Sequence, residues 1–213
     1  MGAAATLVAS WLLRVLWLQL RRRNAPQPVG QPPVHTMIVM GSGGHTAEML
    51  TLLQGMDAAM YAPRNYVVAT TDSTSAQRVE AFEKSWARER ASLQPEYQLL
   101  RLPRSREVGQ SFLSSLFTTL YASLWAAVMV FRHRPSLLLT NGPGTCVPVC
   151  AASVGLRLLG IKSVTIVYVE SICRVQTLSL SGRLLLHVAD HFLVQWPQLA
   201  TKYPRTRYIG RLC

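Results

Sequence analysis

The chain has 213 residues, of which 49% are hydrophobic and 15% charged, a balance that excludes an intrinsically disordered protein. Its formal net charge is +12, and residues 108–213 hold only two acidic residues, Glu170 and Asp190. This excess indicates an anionic partner, either a phosphate compound or an anionic membrane surface. Nucleic acid is not expected, because no run of basic residues stands beside aromatic residues at a binding-motif spacing.

The N-terminal segment, residues 1–23, is predicted to be a membrane anchor. Residues 3–20 are apolar except for Arg14, and three arginines follow at 21–23. About 20 apolar residues span a bilayer, and a signal peptide would carry its positive charge before the apolar run. The positive-inside rule places the N-terminus across the membrane and the rest in the cytosol. Arg14 keeps an interfacial amphipathic helix as the alternative.

A proline-rich linker at 24–34 separates this anchor from the predicted domain, residues 35–213. Met37–Met40 predicts a short buried strand, followed by glycines at 41, 43 and 44 and by an apolar helical pattern. Strand, glycine-rich turn and helix form a unit that is typical of α/β domains that handle nucleotides or phosphates. Thr46 stands where a dinucleotide fingerprint needs glycine, and no P-loop lysine follows, so an ordinary tight turn remains the alternative.

His45 lies in the first turn of this predicted helix. The helix dipole disfavours a cation there, so the imidazole is expected to be neutral and able to accept a proton. The alternative is that His45 only caps the helix or packs against it.

The middle of the chain continues an α/β pattern. Residues 65–70 predict a second strand, and Asp72 then suits a helix N-cap better than a ribose ligand. A polar helix over 75–90 and a strand over 97–102 follow, and the strand runs into a basic loop at 103–107.

Residues 111–131 carry no charge and have the length of a second transmembrane helix. A spanning helix would put the glycine loops on either side of it in different compartments, and one sheet could not contain both flanking strands. We therefore predict a crossover helix of a parallel sheet, partly dipped into the bilayer.

A second glycine-containing loop, Asn141–Thr145, follows a predicted strand at 136–140 and precedes an apolar helix at 146–159. It has the ordinary strand-to-helix turn as its alternative. Two such loops after parallel strands would lie on the same rim of the sheet, the carboxyl end, where open α/β sheets bind ligands.

The strand predicted at 163–169 ends at Glu170, on the same rim. A lone carboxylate there is a candidate for positioning a sugar or taking a proton, and the alternatives are a salt bridge with Arg174 or an N-cap. A helix at 178–188, a strand at 191–195 and a short helix at 196–202 complete the predicted elements. The four cysteines form no Cys-x-x-Cys pair and are expected to be reduced, as in a cytosolic domain.

Several motifs now occur in order: Gly-Ser-Gly-Gly-His-Thr at 41–46, Pro-Arg-Ser-Arg-Glu-Val at 103–108, Asn-Gly-Pro-Gly-Thr-Cys-Val-Pro at 141–148, Val-Tyr-Val-Glu-Ser-Ile-Cys-Arg at 167–174 and Gln-Trp-Pro at 195–197. From about residue 35 to 213 the chain resembles the family of membrane-anchored subunits of the eukaryotic UDP-N-acetylglucosamine (UDP-GlcNAc) transferase. That transferase adds the second GlcNAc to dolichol-linked oligosaccharide precursors. More weakly, the chain resembles the N-terminal half of the bacterial enzyme that glycosylates undecaprenyl-linked peptidoglycan precursor.

The resemblance implies a GT-B glycosyltransferase divided between two chains, with this chain as the Rossmann-like, acceptor-side half. The two loops would hold the acceptor's diphosphate, through Gly41, Ser42, Gly43, Gly44, Thr46, Asn141, Gly142, Gly144 and Thr145. Either His45, which we prefer, or Glu170 would take the proton from the acceptor's 4-hydroxyl. The reaction would invert the anomeric centre and form a β1,4 linkage, with no metal and no cofactor.

The resemblance also implies the partners and the location. A small cytosolic subunit would bind most of the UDP-GlcNAc donor, and this chain, inactive alone, would bind the dolichol-linked acceptor and membrane lipid. The preceding GlcNAc-phosphotransferase is a further candidate partner. The chain would cross the endoplasmic reticulum membrane once, with its N-terminus in the lumen. The rival functions are a non-catalytic membrane scaffold for that subunit and a free-standing nucleotide-binding protein.

Overall fold

In a computed structural model of the protein, the residues described are Ser10, 32–89, 96–104, 112–142 and 144–211. They contain seven strands and six helices, which alternate along the chain from Thr36 to Tyr208. The strands are β1 (Thr36–Val39), β2 (Arg64–Ala69), β3 (Tyr97–Leu102), β4 (Leu137–Asn141), β5 (Thr165–Val169), β6 (His191–Val194) and β7 (Arg207–Tyr208). The helices are α1 (Gly44–Gln54), α2 (Ser73–Glu89), α3 (Phe112–His133), α4 (Cys146–Leu158), α5 (Leu180–Leu185) and α6 (Pro197–Lys202).

All seven strands belong to one parallel sheet in the order β3-β2-β1-β4-β5-β6-β7. The chain builds outward from β1 to β3, returns through α3 to place β4 beside β1, and then builds outward in the other direction. The reversal of strand order between β1 and β4 is the position at which doubly wound sheets bind ligands. The predicted Rossmann-like parallel α/β fold is thus confirmed.

The two faces of the sheet are covered by different helices. Alternate residues of β1 enter different cores: Ile38 packs with α1 and α2, whereas Met37 and Val39 pack with α3, α4, α5 and α6. This alternation follows from the two-residue period of a strand. It explains why the inner strands have apolar residues on both faces, as buried parallel strands do.

The sequence placed the elements well and their ends less well. Asn141 was predicted to begin a loop but is the last residue of β4. The helix predicted at 178–188 forms only over α5, because Ser179 caps its first turn and accepts a hydrogen bond from Gly182 N. The short strand β7 was not predicted, and two residues give no alternating pattern to detect.

Helix α3 is the predicted crossover helix. It buries Ala122, Ala126, Met129 and Val130 against the sheet and α4. Its opposite face exposes a stripe of large apolar side chains, Phe117, Leu120, Tyr121, Leu124, Trp125 and Val128. None of the helices in the described ranges is both long enough and apolar enough to cross a membrane. Apart from Ser10 and residues 32–34, the predicted anchor and linker lie outside the described residues.

Cys146 and Cys150 lie four residues apart on α4, and both are fully buried. Burial raises the pKa of the Cys146 thiol well above its ordinary value and raises the pKa of Cys150 to about 12. Both cysteines and the exposed Cys173 are free thiols, as predicted, whereas Cys213 lies outside the described residues.

Candidate functional site

The carboxyl rim of the sheet brings the predicted site residues together at the reversal between β1 and β4. Residues 41–46 connect β1 to α1, and residues 142–145 connect β4 to α4. The glycine loop, the second loop and Glu170 were all expected on one rim, and the parallel register of β1, β4 and β5 places them there. Helices α1 and α4 both begin at this rim, so their N-terminal N–H groups and positive dipole ends lie on the side that an anion would approach.

The glycine loop has a backbone that only glycine adopts readily. Gly43 has φ +61°, and it precedes α1 without any side-chain cap. Ser42, Gly43 and Gly44 are exposed. A Cβ added at Gly44 or at Gly144 would meet no atom within 4 Å, so open space faces both loops. That space lets a ligand approach the backbone closely.

A buried polar network supports this loop from below. Thr46 Oγ1 donates to the Gly41 carbonyl and lies 2.7 Å from Ser75 Oγ. Ser75 Oγ is in turn 2.7 Å from Asp72 Oδ2, and Asp72 Oδ1 accepts from Ser75 N at 2.9 Å. Asp72 is therefore the N-cap of α2, as predicted. The Thr46 hydroxyl holds the loop and is fully buried, so it is not presented to a ligand.

His45 packs directly against the second loop. A Cβ built on Gly142, which has φ +68°, would lie 2.6 Å from His45 Cε1 and 3.0 Å from its Nδ1. The imidazole therefore rests on the Gly142 backbone, and only glycine fits there. The His45 side chain is 34% exposed, whereas its Nδ1 is buried and has no hydrogen-bond partner among the described residues. Nε2 is thus the ring nitrogen that a ligand can reach.

Asn141 joins the two sides of the reversal. Its Nδ2 donates to the His45 carbonyl at 2.9 Å and lies 3.5 Å from Glu48 Oε2. Its amide donor is thus used within the protein, and its buried Oδ1 has no partner in the described part of the chain. This arrangement favours a role for Asn141 in holding α1 against β4, and its predicted contact with a diphosphate stays a prediction.

Glu170 lies on the same rim but faces inward, and it is fully buried. Its Oε2 accepts from Ser179 N at 2.9 Å and from Ser179 Oγ at 3.1 Å, and its Oε1 accepts from Ser171 N at 3.1 Å. Ser179 caps α5, so Glu170 supports that cap. The N-cap is therefore Ser179 and not Glu170 itself, and the fully buried Glu170 carboxylate is not exposed to a ligand.

Glu48 was not singled out from the sequence, yet its carboxylate lies at the centre of the rim. Oε1 accepts from Ser171 Oγ at 2.8 Å, and Oε2 is 3.9 Å from His45 Nδ1. The available signal was its position three residues after His45, which puts both side chains on one face of a helix. Within the described ranges, no group of three or more His, Cys, Asp or Glu residues is arranged to hold a metal ion. The predicted absence of a metal stays a prediction.

Comparison with known proteins gives a consistent assignment. A family model described as "Oligosaccharide biosynthesis protein Alg14 like" matches residues 36–212. The chain is 46% identical over 213 residues to the human protein named UDP-N-acetylglucosamine transferase subunit ALG14, with 100% of this chain and 97% of that protein covered. The rat protein of that name is 48% identical over 213 residues, with the same coverage. Its counterpart in Schizosaccharomyces pombe is 40% identical over 209 residues, covering 96% of each chain.

Two solved structures of GT-B glycosyltransferases have a similar fold. Acinetobacter baumannii MurG aligns with TM-score 0.50 and 16% identity over 78% of this chain and 43% of MurG. LpCGTa, solved in complex with UDP, aligns with TM-score 0.50 and 16% identity over 84% of this chain and 53% of that protein. The chain thus spans about half the length of each.

Proposed function

The chain belongs to the Alg14-like family of oligosaccharide biosynthesis proteins, and we propose that it is the acceptor-side, membrane-anchoring subunit of a two-chain UDP-GlcNAc transferase. The observation that carries this proposal is the position of His45, which lies between two glycine-containing loops at the reversal of a Rossmann-like sheet. The human and Schizosaccharomyces pombe relatives are each named a subunit of a transferase, which supports an enzyme divided between two chains. A second, small cytosolic chain would supply the donor-binding half.

The acceptor in this proposal is GlcNAc-diphosphodolichol. Its diphosphate would bind the backbone N–H groups of the 41–46 loop and of the loop at 142–145, which the N-termini of α1 and α4 make favourable for an anion. The glycines suit this use, since the space beside Gly44 and Gly144 is open. Arg78 lies at the edge of the first loop, with Nη1 3.4 Å from the Gly43 carbonyl, and adds positive charge there.

His45 would act as the general base. Its Nε2 takes the proton of the acceptor's 4-hydroxyl while the new O4–C1 bond forms on the donor GlcNAc. The C1–O bond to UDP breaks in the same step, and UDP leaves with the electron pair. One direct displacement inverts the anomeric centre and gives the β1,4 linkage. The inward orientation of Glu170 favours His45 over Glu170 for this role.

The membrane proposal has two parts, an N-terminal anchor at 1–23 and a contact through α3. The apolar stripe on α3 is continuous along one face of the helix, and exposed patches of this kind mark membrane or protein contacts. Helix α3 follows β3, so it begins near the carboxyl rim, and its stripe would bring the bilayer close to the acceptor's diphosphate. A glycosylation acceptor sequence fused before Met1 tests the orientation: modification in cells supports a lumenal N-terminus in the endoplasmic reticulum, and its absence opposes it.

The function is tested by transfer of GlcNAc from UDP-GlcNAc to GlcNAc-diphospholipid, with the purified full chain and its small partner assayed separately and together. We expect transfer only when both chains are present. Full activity from the partner alone would contradict the proposal and favour a non-catalytic scaffold. Tight UDP-GlcNAc binding by this chain alone, without transfer in any mixture, would favour a free-standing nucleotide-binding protein.

A further inference from the structure

Glu48 occupies the space between the His45 imidazole and the ends of β4 and β5. Its side chain is 11% exposed, and its Oε2 lies 3.9 Å from His45 Nδ1. Its Oε1 accepts the Ser171 hydroxyl at 2.8 Å, which ties α1 to the residues after β5. The Ser171 hydrogen bond restricts the Glu48 carboxylate to this position, one turn of helix from His45.

The ring nitrogen of His45 that lies nearer Glu48, Nδ1, lacks a hydrogen bond in the part of the chain that the structure describes. Nδ1 is buried without a hydrogen-bond partner among the described residues, and an unpaired buried polar atom is costly. Gly142 packs against the Nδ1–Cε1 edge of the ring, where a Cβ would lie 2.6 Å from Cε1 and 3.0 Å from Nδ1. A small rotation of the His45 side chain toward Glu48 would shorten the 3.9 Å separation to the length of a hydrogen bond. A carboxylate only accepts hydrogen bonds, so Nδ1 must then carry the proton.

We propose that Glu48 is a positioning residue that accepts a hydrogen bond from His45 Nδ1–H in the acceptor complex. This bond keeps the proton on Nδ1 and leaves Nε2 with its lone pair directed to the acceptor's 4-hydroxyl. When that hydroxyl gives its proton to Nε2, the imidazolium that forms lies beside the Glu48 carboxylate, which stabilises it. The inference rests on the proposed function, in which His45 is the general base.

The test is Glu48→Gln in the full chain assembled with its partner. The Ser171 hydroxyl donates to Oε1, so we expect the amide oxygen to take that position and the NH2 group to face Nδ1. The ring proton then moves to Nε2, which loses its lone pair. We expect kcat to fall at least about 100-fold, with KM for the acceptor changed less than about twofold. Nitrogen-15 NMR of labelled histidines should show His45 changing from the Nδ1–H to the Nε2–H tautomer, with the signal assigned by its loss in His45→Ala. A purely structural glutamate would not produce this change.

Two further variants make the result decisive. Glu80→Gln removes one carboxylate from α2, away from the rim, and should leave kcat unchanged. Glu48→Asp keeps the negative charge, so we expect it to retain the Nδ1–H tautomer. Its kcat should be at least about tenfold higher than that of Glu48→Gln. If Glu48→Asp had the same low kcat as Glu48→Gln, the inference would be overturned. The aspartate variant gives this test even if Glu48→Gln assembles poorly with the partner.

The inference and the proposed function fail in different ways. Wild-type activity in His45→Ala would refute His45 as the base, and with it the proposed mechanism. An inactive His45→Ala together with a Glu48→Gln variant of nearly normal kcat and unchanged tautomer would refute only the role of Glu48.

Discussion

Two carboxylates lie on the same rim of the sheet, and their surroundings differ. Glu170 is fully buried and accepts hydrogen bonds from the Ser171 and Ser179 backbones and from the Ser179 hydroxyl. Glu48 is part of a cluster that is still incomplete, because the neighbouring His45 Nδ1 has no partner in the described part of the chain. The closed cluster around Glu170 holds α5 in place, and we propose that the open cluster around His45 binds the acceptor and reacts with it.

Position on the rim alone is therefore not sufficient evidence that a carboxylate has a chemical role. Both acids lie at the carboxyl ends of parallel strands, where open α/β sheets bind ligands. They differ in burial and in the hydrogen bonds of their neighbours. Substitutions in the closed cluster should therefore change stability, whereas substitutions in the open cluster should change activity.

The largest effect on stability is expected from Glu170→Ala. The change leaves a cavity and removes the acceptor of the buried Ser179 N–H, which together should lower the free energy of unfolding by roughly 2–4 kcal/mol. Thermal or denaturant unfolding of the full chain measures it. The control Glu96→Ala, at an exposed residue just before β3, should cost less than about 0.5 kcal/mol. If Glu170→Ala had normal stability but lost transfer activity, Glu170 would have a role in the reaction and not in stability.

The second effect is a loss of kcat in Gly142→Ala, which tests whether the second loop positions the His45 ring. Gly142→Ala places a methyl group 2.6 Å from His45 Cε1 and must displace the imidazole. A shift of about 1 Å in a reacting group can cost on the order of 100-fold in rate, so we expect a loss of that size in kcat. Gly155→Ala, where the nearest atom to the new Cβ is at 4.0 Å, is the matched control. Equal activity in the two variants would mean that the position of the His45 ring is unimportant.

The smallest effect concerns a third cluster, at the amino ends of β1 and β2, opposite the rim. Asn65 Nδ2 lies 2.7 Å from His35 Nε2 and 3.1 Å from His133 Nδ1. Burial lowers the pKa of both histidines, and nearby positive charge lowers each further. If the Asn65 amide donates to both rings, His35 Nε2 and His133 Nδ1 must each be unprotonated.

Because the folded pKa values lie below the ordinary value of 6.5, the unfolded chain binds more protons as the pH falls below 6.5. The contribution of this cluster to stability is therefore present above pH 6.5 and is lost progressively below it. We expect the midpoint of thermal unfolding to decrease from pH 7 to pH 5.5, and to decrease less in the double variant His35→Gln and His133→Gln. Identical pH dependence in both proteins would exclude these histidines as the cause.

The sequence predicted the fold more completely than the site. Alternating apolar strands and helices, with glycines after β1 and β4, are enough to predict a parallel sheet and a shared rim, because crossover connections leave few alternatives. Uncharged residues in 111–131 suggested a membrane span, and packing of Ala126 and Val130 into the core shows why an apolar helix also fits a buried crossover. Such features are local patterns or follow from topology.

The roles of individual polar residues could not be predicted in the same way. Whether Glu170 faces inward depends on Ser179, nine residues away, and whether Thr46 is free depends on Ser75. These hydrogen bonds join segments that are distant in sequence and have no periodic signature. Glu48 is the exception, since its spacing from His45 on one helix was visible in the sequence.

The most direct test of the central claim, that the open cluster around His45 performs the chemistry, is the kinetics of His45→Ala in the two-chain enzyme. His187→Ala, an exposed histidine between α5 and β6, is the matched control. We predict that kcat falls by about 10²- to 10⁴-fold in His45→Ala only, while association with the partner and the unfolding midpoint stay close to those of the wild type. A kcat within threefold of the wild type, with both chains assembled, would contradict the account.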